Sequence, residues 1–184
     1  MEKTKEDLLK DGQSRQLKDE KSAKNSYMPI RAAGDDIIIT EPDGGIIPAI
    51  EGQKKCDFML RSSKYCQTMF VELKGANISI ESDYNPFDQI IMTIDFFKSH
   101  DRYNAWVNAA SEKHAFIVSP GRQKLPRGVE RKERALWQKL VRPRQKSQIN
   151  DLVHYVKVTK SDKYSDKNGQ IICSPKYPVE MPYR

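Results

Sequence analysis

The sequence has few of the residues that build the commonest metal and redox sites. It contains only three cysteines in 184 residues, and none of them lies in a CxxC pair. The three histidines are scattered, with no HxH or HExxH spacing, which argues against a zinc site. An odd, sparse set of thiols is typical of reduced cytosolic proteins, so we expect a cytoplasmic location. A disulfide between Cys56 and Cys66, facing each other across a hairpin, is the one pairing left open.

Long apolar runs are missing as well. No segment approaches the roughly 20 consecutive apolar residues that span a bilayer. The first residues, "MEKTKEDLLKDGQSRQ", lack the apolar stretch of a signal peptide. We therefore expect no association with a membrane. The sequence also has no glycine-rich phosphate loop and no internal repeat, which argues against a P-loop enzyme and a solenoid.

Charge is what the sequence has in excess. Lys and Arg number 32 against 25 Asp and Glu, a net charge of +7 that suits a polyanion such as nucleic acid. Ten basic side chains lie within residues 122–146 against two acidic ones. A solvated helix face is the plain interpretation. If the partner is a nucleic acid, this stretch would instead contact its backbone without reading bases, and its best candidates are Arg122, Lys124, Arg127 and Arg131.

The hydrophobic pattern predicts an α/β fold, with a mixed β-sheet flanked by helices. The length suits one domain, which we place at residues 26–184. Residues 1–25 are dense in charge and are expected to form an amphipathic helix or a charged arm. One helix follows a cap at Asn85. The remaining predicted elements are strands over 35–42, 56–62, 67–75, 113–121 and 152–159, a helix over 128–143, and a turn at 168–169.

Two carboxylates and an amine interrupt the apolar runs "CDFMLRS" and "QTMFVELKG". The short link between these strands predicts an antiparallel hairpin. If its turn centres on residues 64–65, Asp57 lies opposite Glu72, with Cβ atoms roughly 5 Å apart. Lys74 lies two residues beyond Glu72 and therefore points to the same face, whereas the intervening residues point to the other.

Such a group of charges indicates a particular chemistry. Two close carboxylates repel each other unless a proton or a cation lies between them. Carboxylate oxygens, water and phosphate are the ligands that Mg²⁺ prefers, and a bound divalent ion can activate a water for attack on phosphorus. A nearby lysine adds positive charge where the transition state gains negative charge. The alternative is an exposed charged pair at a strand end.

The order Asp57, fourteen intervening residues, then Glu72-Leu73-Lys74 in "FVELKG" resembles the D…ExK signature of the PD-(D/E)XK nuclease superfamily. The resemblance implies the restriction-endonuclease-like αβββαβ core, here with a C-terminal extension. It also implies that Asp57, Glu72 and the Leu73 backbone carbonyl hold Mg²⁺ or Mn²⁺, and that Lys74 is the catalytic lysine. Cys56 stands where the family name places a proline.

The resemblance extends to the following helix and to the expected activity. Many relatives present a glutamine from this helix towards the site, and Gln89 matches by position. Some use a glutamate from the first helix, and both Glu6 and Glu20 are candidates. The implied function is endonucleolytic hydrolysis of phosphodiester bonds in DNA, with RNA as an alternative substrate and a homodimer as a common arrangement. Two other functions stay open: a catalytically silent nucleic-acid-binding module, and a defence or mobile-element protein that acts through a protein partner.

Overall fold

The computed structural model describes residues 6–19, 26–75, 78, 83, 85–119, 155–160 and 175–183. These residues form an α/β structure with two mixed β-sheets and few helices. No helix in these ranges is long and apolar enough to cross a membrane. In chain order the elements are β1 (Glu6–Leu9), β2 (Ser14–Lys18), β3 (Tyr27–Ala32), β4 (Ile37–Thr40), β5 (Phe58–Ser62), β6 (Gln67–Leu73), α1 (Pro86–Ser99), α2 (Asn104–Asn108), β7 (Glu112–Ser119), β8 (Tyr155–Lys160) and β9 (Val179–Met181).

The larger sheet has six strands in the spatial order β1-β4-β5-β6-β7-β8. The first four strands of this order are antiparallel neighbours, whereas β7 is parallel to β6 and β8 is parallel to β7. A parallel connection requires a crossover, and α1 and α2 lie within the crossover between β6 and β7. The sheet is therefore a meander followed by parallel crossovers, as the sequence pattern predicted.

The two faces of this sheet are covered differently. On one face, β2, β3 and β9 form a small mixed sheet whose Leu17, Ile30 and Met181 are buried against side chains of β4 to β7. On the other face, α1 and α2 pack their apolar residues against Met59 and Phe70 of the β5–β6 hairpin. Alternate residues of each central strand therefore enter separate cores, one under the helices and one under the small sheet.

Helix α1 begins as the sequence predicted. The Asn85 side chain accepts a hydrogen bond from the Phe87 N–H at 2.9 Å, which satisfies one of the free donors at the helix start. Pro86 occupies the first turn, and Asp88 lies near the positive end of the helix dipole. The buried residues Phe87, Ile90, Ile94 and Phe97 recur at helical spacing and attach the helix to the sheet.

The helix expected within residues 1–25 is wrong over the described part of that segment. Residues 6–9 form β1, which pairs with β4, and residues 14–18 form β2, which pairs with β3. Leu9 and Leu17 are each buried, one in each strand. So few apolar side chains cannot cover a helix face, but each can anchor one short strand. Because these strands belong to the two sheets, residues 6–18 are not a separate arm.

Other differences lie in strands with weak local signals. β3 was not predicted, because Pro29 in its middle is a residue that central strands avoid. Its pairing with β9 covers only Ile30 to Ala32, so Pro29 lies outside that ladder.

Cys56 and Cys66 are free thiols, and the disulfide between them does not form. The helix predicted over 128–143 and the turn at 168–169 lie outside the described residues.

Candidate active site

The register of the β5–β6 hairpin brings Asp57 level with Glu72. Phe58 pairs with Val71 and Met59 with Phe70, so paired residue numbers sum to 129 and the next position joins Asp57 and Glu72. This is the register that the sequence predicted. The Asp57 carboxylate also bridges the two strands directly, because its Oδ2 accepts a hydrogen bond from the Leu73 backbone N–H at 2.6 Å.

Glu72 is a buried carboxylate in the middle of the sheet. Only 1% of the residue is exposed, and it follows Phe70 on the face that α1 covers. Its Oε1 lies 2.8 Å from the Lys74 Nζ. Its Oε2 is buried and has no hydrogen-bond partner among the described residues. A buried oxygen without a partner is energetically costly, so, among the described residues, this is the Glu72 oxygen that is open to a further ligand.

The environment disfavours ionisation of both carboxyl groups. Burial raises the pKa of Asp57 from its ordinary value of 3.8 to about 7, and the Asp19 and Asp43 carboxylates push it in the same direction, against the Leu73 N–H and Lys74. Burial also raises the pKa of Glu72 well above its ordinary value, with Asp57 adding to the effect and Lys74 opposing it. The Asp57 residue keeps some contact with solvent. Protein atoms nevertheless surround its carboxylate on most sides, and this loss of hydration raises its pKa. A cation between the two carboxyl groups would remove this penalty.

Lys74 and Gln89 complete the group. The Lys74 Nζ contacts Glu72 Oε1 and donates a hydrogen bond to Gln89 Oε1. The Gln89 amide nitrogen donates in turn to the Lys55 backbone carbonyl at 3.0 Å. Helix α1 therefore presents its glutamine to the end of the hairpin, in the place that the resemblance implied. The four side chains expected at the site from the hairpin and this helix, those of Asp57, Glu72, Lys74 and Gln89, therefore lie together.

A cavity of about 440 Å³ opens beside Asp57. It lies between β2, β4 and the turn over Pro42–Ile46, and its volume is within the range of ligand sites, about 300–1,000 Å³. Five of its lining residues are acidic and two are basic, namely Asp7, Asp19, Glu41, Asp43 and Asp57, with Arg15 and Lys18. This acidic excess makes the approach to Asp57 favourable for a cation.

The residues present fit a hard divalent ion with few protein ligands. In the described part of the chain, no group of three or more His, Cys, Asp or Glu side chains could hold a metal ion on side chains alone. Two carboxylates with a backbone carbonyl, water and substrate oxygens form the kind of shell that Mg²⁺ takes. The unpartnered Oε2 of Glu72 and the raised pKa values of both carboxyl groups agree with such a shell.

Other candidate residues do not join this group or cannot be located. Glu6 contacts Arg61 at 2.5 Å, four residues along the chain from Asp57, and it is not in the site. Glu20 and the basic candidates Arg122, Lys124, Arg127 and Arg131 lie outside the described residues. Asp19 and Asp43, which raise the pKa of Asp57 from separate segments, were not among the residues expected from the sequence. Neither was Thr93, whose hydroxyl accepts a hydrogen bond from the Cys56 N–H at 2.8 Å and whose signal in the sequence is its position one helical turn after Gln89.

Comparisons of this chain with protein-family models, with curated proteins and with solved structures find no match. What indicates a function is therefore the geometry of the residues described above, together with the D…ExK pattern itself.

Proposed function

We propose that this chain is a metal-dependent endonuclease that hydrolyses phosphodiester bonds in DNA, built on a restriction-endonuclease-like core. The observation that carries the proposal is the convergence of Asp57, Glu72 and Lys74 at one end of a hairpin. A charged pair at a strand end would be exposed to water, whereas the Glu72 carboxylate is buried with one oxygen unpartnered among the described residues.

Asp57 and Glu72 would hold the metal ion, Mg²⁺ or Mn²⁺, together with the backbone carbonyl of Leu73, which lies between Glu72 and Lys74 in the chain. When bound, such an ion supplies Lewis-acid stabilisation of a phosphoryl oxygen and activates a water molecule. The protein supplies two carboxylates whose ionisation is disfavoured without a cation. Where both groups are ionised, a cation between them would relieve their repulsion.

Lys74 would act on the oxygen atoms that react. Its ammonium group has three N–H donors, and its described contacts to Glu72 and Gln89 use two of them. The remaining donor is available to orient the attacking water or to stabilise an oxygen that gains negative charge in the transition state. Because Lys74 is 15% exposed, it is reached by solvent while being held by its neighbours.

The net charge of +7 and the basic stretch over residues 122–146 support a nucleic-acid substrate. DNA is the substrate that the resemblance favours, and RNA is tested beside it. A dimer would offer one site to each strand of a duplex, which is why the oligomeric state should be measured with the activity.

The test is incubation of supercoiled plasmid, branched DNA and single-stranded RNA with the purified chain in Mg²⁺ or Mn²⁺. We expect metal-dependent cutting of DNA that is lost by at least about 100-fold in Asp57→Ala and Lys74→Ala, because each removes a group acting on the transition state. Lys64→Ala is the matched control, since Lys64 lies at the opposite end of the same hairpin and bonds the Gly34 carbonyl.

Equal cutting by wild type and Lys74→Ala would refute the assignment of the site. Binding of DNA without any cutting, in either metal, would favour the catalytically silent module. A partner-dependent activity must be sought with the chain intact, because deleting residues 1–24 would remove β1 and β2 from the two sheets.

A further inference from the structure

One peptide group next to the site is held by helix α1 on both sides. It is the peptide that joins Lys55 to Cys56, one residue before the peptide that joins Cys56 to Asp57. The Gln89 amide nitrogen donates to the Lys55 carbonyl at 3.0 Å, and the Cys56 N–H donates to the Thr93 hydroxyl at 2.8 Å. Both polar groups of this peptide are therefore satisfied by two side chains that lie one turn apart on the same helix.

The two helix residues are also joined to each other and to the catalytic lysine. The Thr93 hydroxyl donates to the Gln89 backbone carbonyl at 2.7 Å, which orients its lone pairs towards Cys56. The other end of the Gln89 side chain accepts a hydrogen bond from Lys74. The Gln89 side-chain amide thus links the segment that carries Asp57 to Lys74, the residue that follows β6.

We propose that Gln89 and Thr93 form a peptide clamp that positions Asp57 and Lys74 relative to each other, an inference that rests on the proposed nuclease function. Neither residue needs to touch the substrate. Thr93 is a positioning residue, because it is completely buried and its described hydrogen bonds are to the Cys56 N–H and the Gln89 backbone carbonyl, not to the charged groups of the site. Gln89 is assigned the same role, because its two described side-chain contacts are both within the protein.

Packing alone does not account for Thr93. The buried face of α1 is supplied by Phe87, Ile90, Ile94 and Phe97, and a valine at residue 93 would fill nearly the same volume. The hydroxyl matters because it accepts from Cys56 and donates to Gln89. Its loss leaves a buried N–H without a partner and frees the peptide to rotate, which would move the Asp57 carboxylate.

The experiment compares Thr93→Val with Thr93→Ser and with the matched control Thr68→Val. Thr68 is a buried threonine of β6 whose hydroxyl donates to the Trp106 carbonyl, at the other end of the sheet. For Thr93→Val we expect kcat to fall by about 10- to 100-fold with KM changed less than about threefold, because misplacement of reacting groups by about 1 Å has effects of this size. Thr93→Ser should restore most of kcat, and Thr68→Val should cut like wild type.

Amide hydrogen exchange in metal-free protein gives a readout that needs no activity. In Thr93→Val, the Cys56 amide should exchange faster because it has lost its acceptor. The Leu73 amide should also exchange faster, since its acceptor is the Asp57 carboxylate. Thr68→Val should leave both rates unchanged.

Faster exchange at Cys56 with an unchanged rate at Leu73 would overturn the clamp, because Asp57 would then hold its place without Thr93. So would wild-type kcat in Thr93→Val. If the wild-type chain cuts no nucleic acid, the nuclease proposal fails by itself, and the two exchange rates still decide whether the clamp positions Asp57.

Discussion

We expect the Asp57 carboxylate to destabilise the metal-free protein above about pH 7, where the group is ionised and could bind a metal ion. Its pKa is raised from 3.8 to about 7 in the folded chain. Between these two values the folded protein holds a proton that the unfolded chain has released. The free energy of unfolding therefore falls as the pH rises through this window, and the loss is complete above about pH 7. Replacing Asp57 with asparagine removes this loss.

The magnitude follows from the difference in proton affinity. A tenfold change corresponds to about 1.4 kcal/mol, so a pKa raised from 3.8 to about 7 corresponds to at most about 4 kcal/mol at pH 8. Asparagine must still bury a polar amide, and Asp57 is partly exposed, which reduces the gain. We expect Asp57→Asn to be more stable than wild type by about 2 kcal/mol at pH 8, and by much less at pH 4.

The assay is urea denaturation in EDTA at pH 4, 6 and 8. Glu72 also has a raised pKa and contributes a slope of the same sign. Because the Asp57 charge adds to that shift, Asp57→Asn also reduces the Glu72 part of the slope, and the difference between the two proteins reports both effects. Asp36→Asn is the control, because the hydrogen bond from Lys10 lowers the pKa of that exposed carboxyl and its removal should give no gain. If Asp57→Asn is no more stable than wild type at pH 8, the environment of Asp57 is not the one described here.

Three further perturbations test other parts of the structure. Mg²⁺ at a hundred times its Kd should stabilise wild type by about 2.7 kcal/mol at pH 8. The stabilisation should be smaller at pH 6, because protons compete with the metal ion at Asp57, and it should be absent in Asp57→Asn. Thermal shifts that do not depend on pH would contradict this prediction. Asn85→Ala should lower the free energy of unfolding by about 1 kcal/mol through loss of the α1 cap, and an unchanged urea midpoint would argue against the cap. Leu17→Ala should lower it by about 2–5 kcal/mol because the side chain is buried, whereas a cost below about 0.5 kcal/mol would mean that the N-terminal segment is an arm after all.

The N-terminal segment explains why some of the fold escaped prediction. β1 pairs with β4 of the larger sheet, about thirty residues away, and β2 pairs with β3 in the small sheet. Each strand is short and buries a single leucine of this segment, Leu9 or Leu17. Periodicity cannot be read from one apolar residue, so only the partners in the sheets define these strands. β3 was not predicted for a related reason, because Pro29 weakens the strand pattern in its local sequence.

The hairpin could be predicted because everything that defines it is local. The short turn near residues 64–65 determines the register, and the alternation of side chains determines which residues share a face. Counting residues along the two strands therefore predicts that Asp57, Glu72 and Lys74 lie together. Helical spacing of the apolar residues predicts α1 and its Asn85 cap.

The sequence by itself thus determined the mixed sheet, the hairpin register and the three charged groups at its end, because those features depend on neighbours along the chain. The tertiary structure alone decided how strongly the two carboxyl groups resist ionisation, because burial and the distant Asp19 and Asp43 set that resistance. It alone also joined Thr93 and Gln89 to the peptide before Asp57, since a hydrogen bond between segments more than thirty residues apart leaves no pattern in either of them.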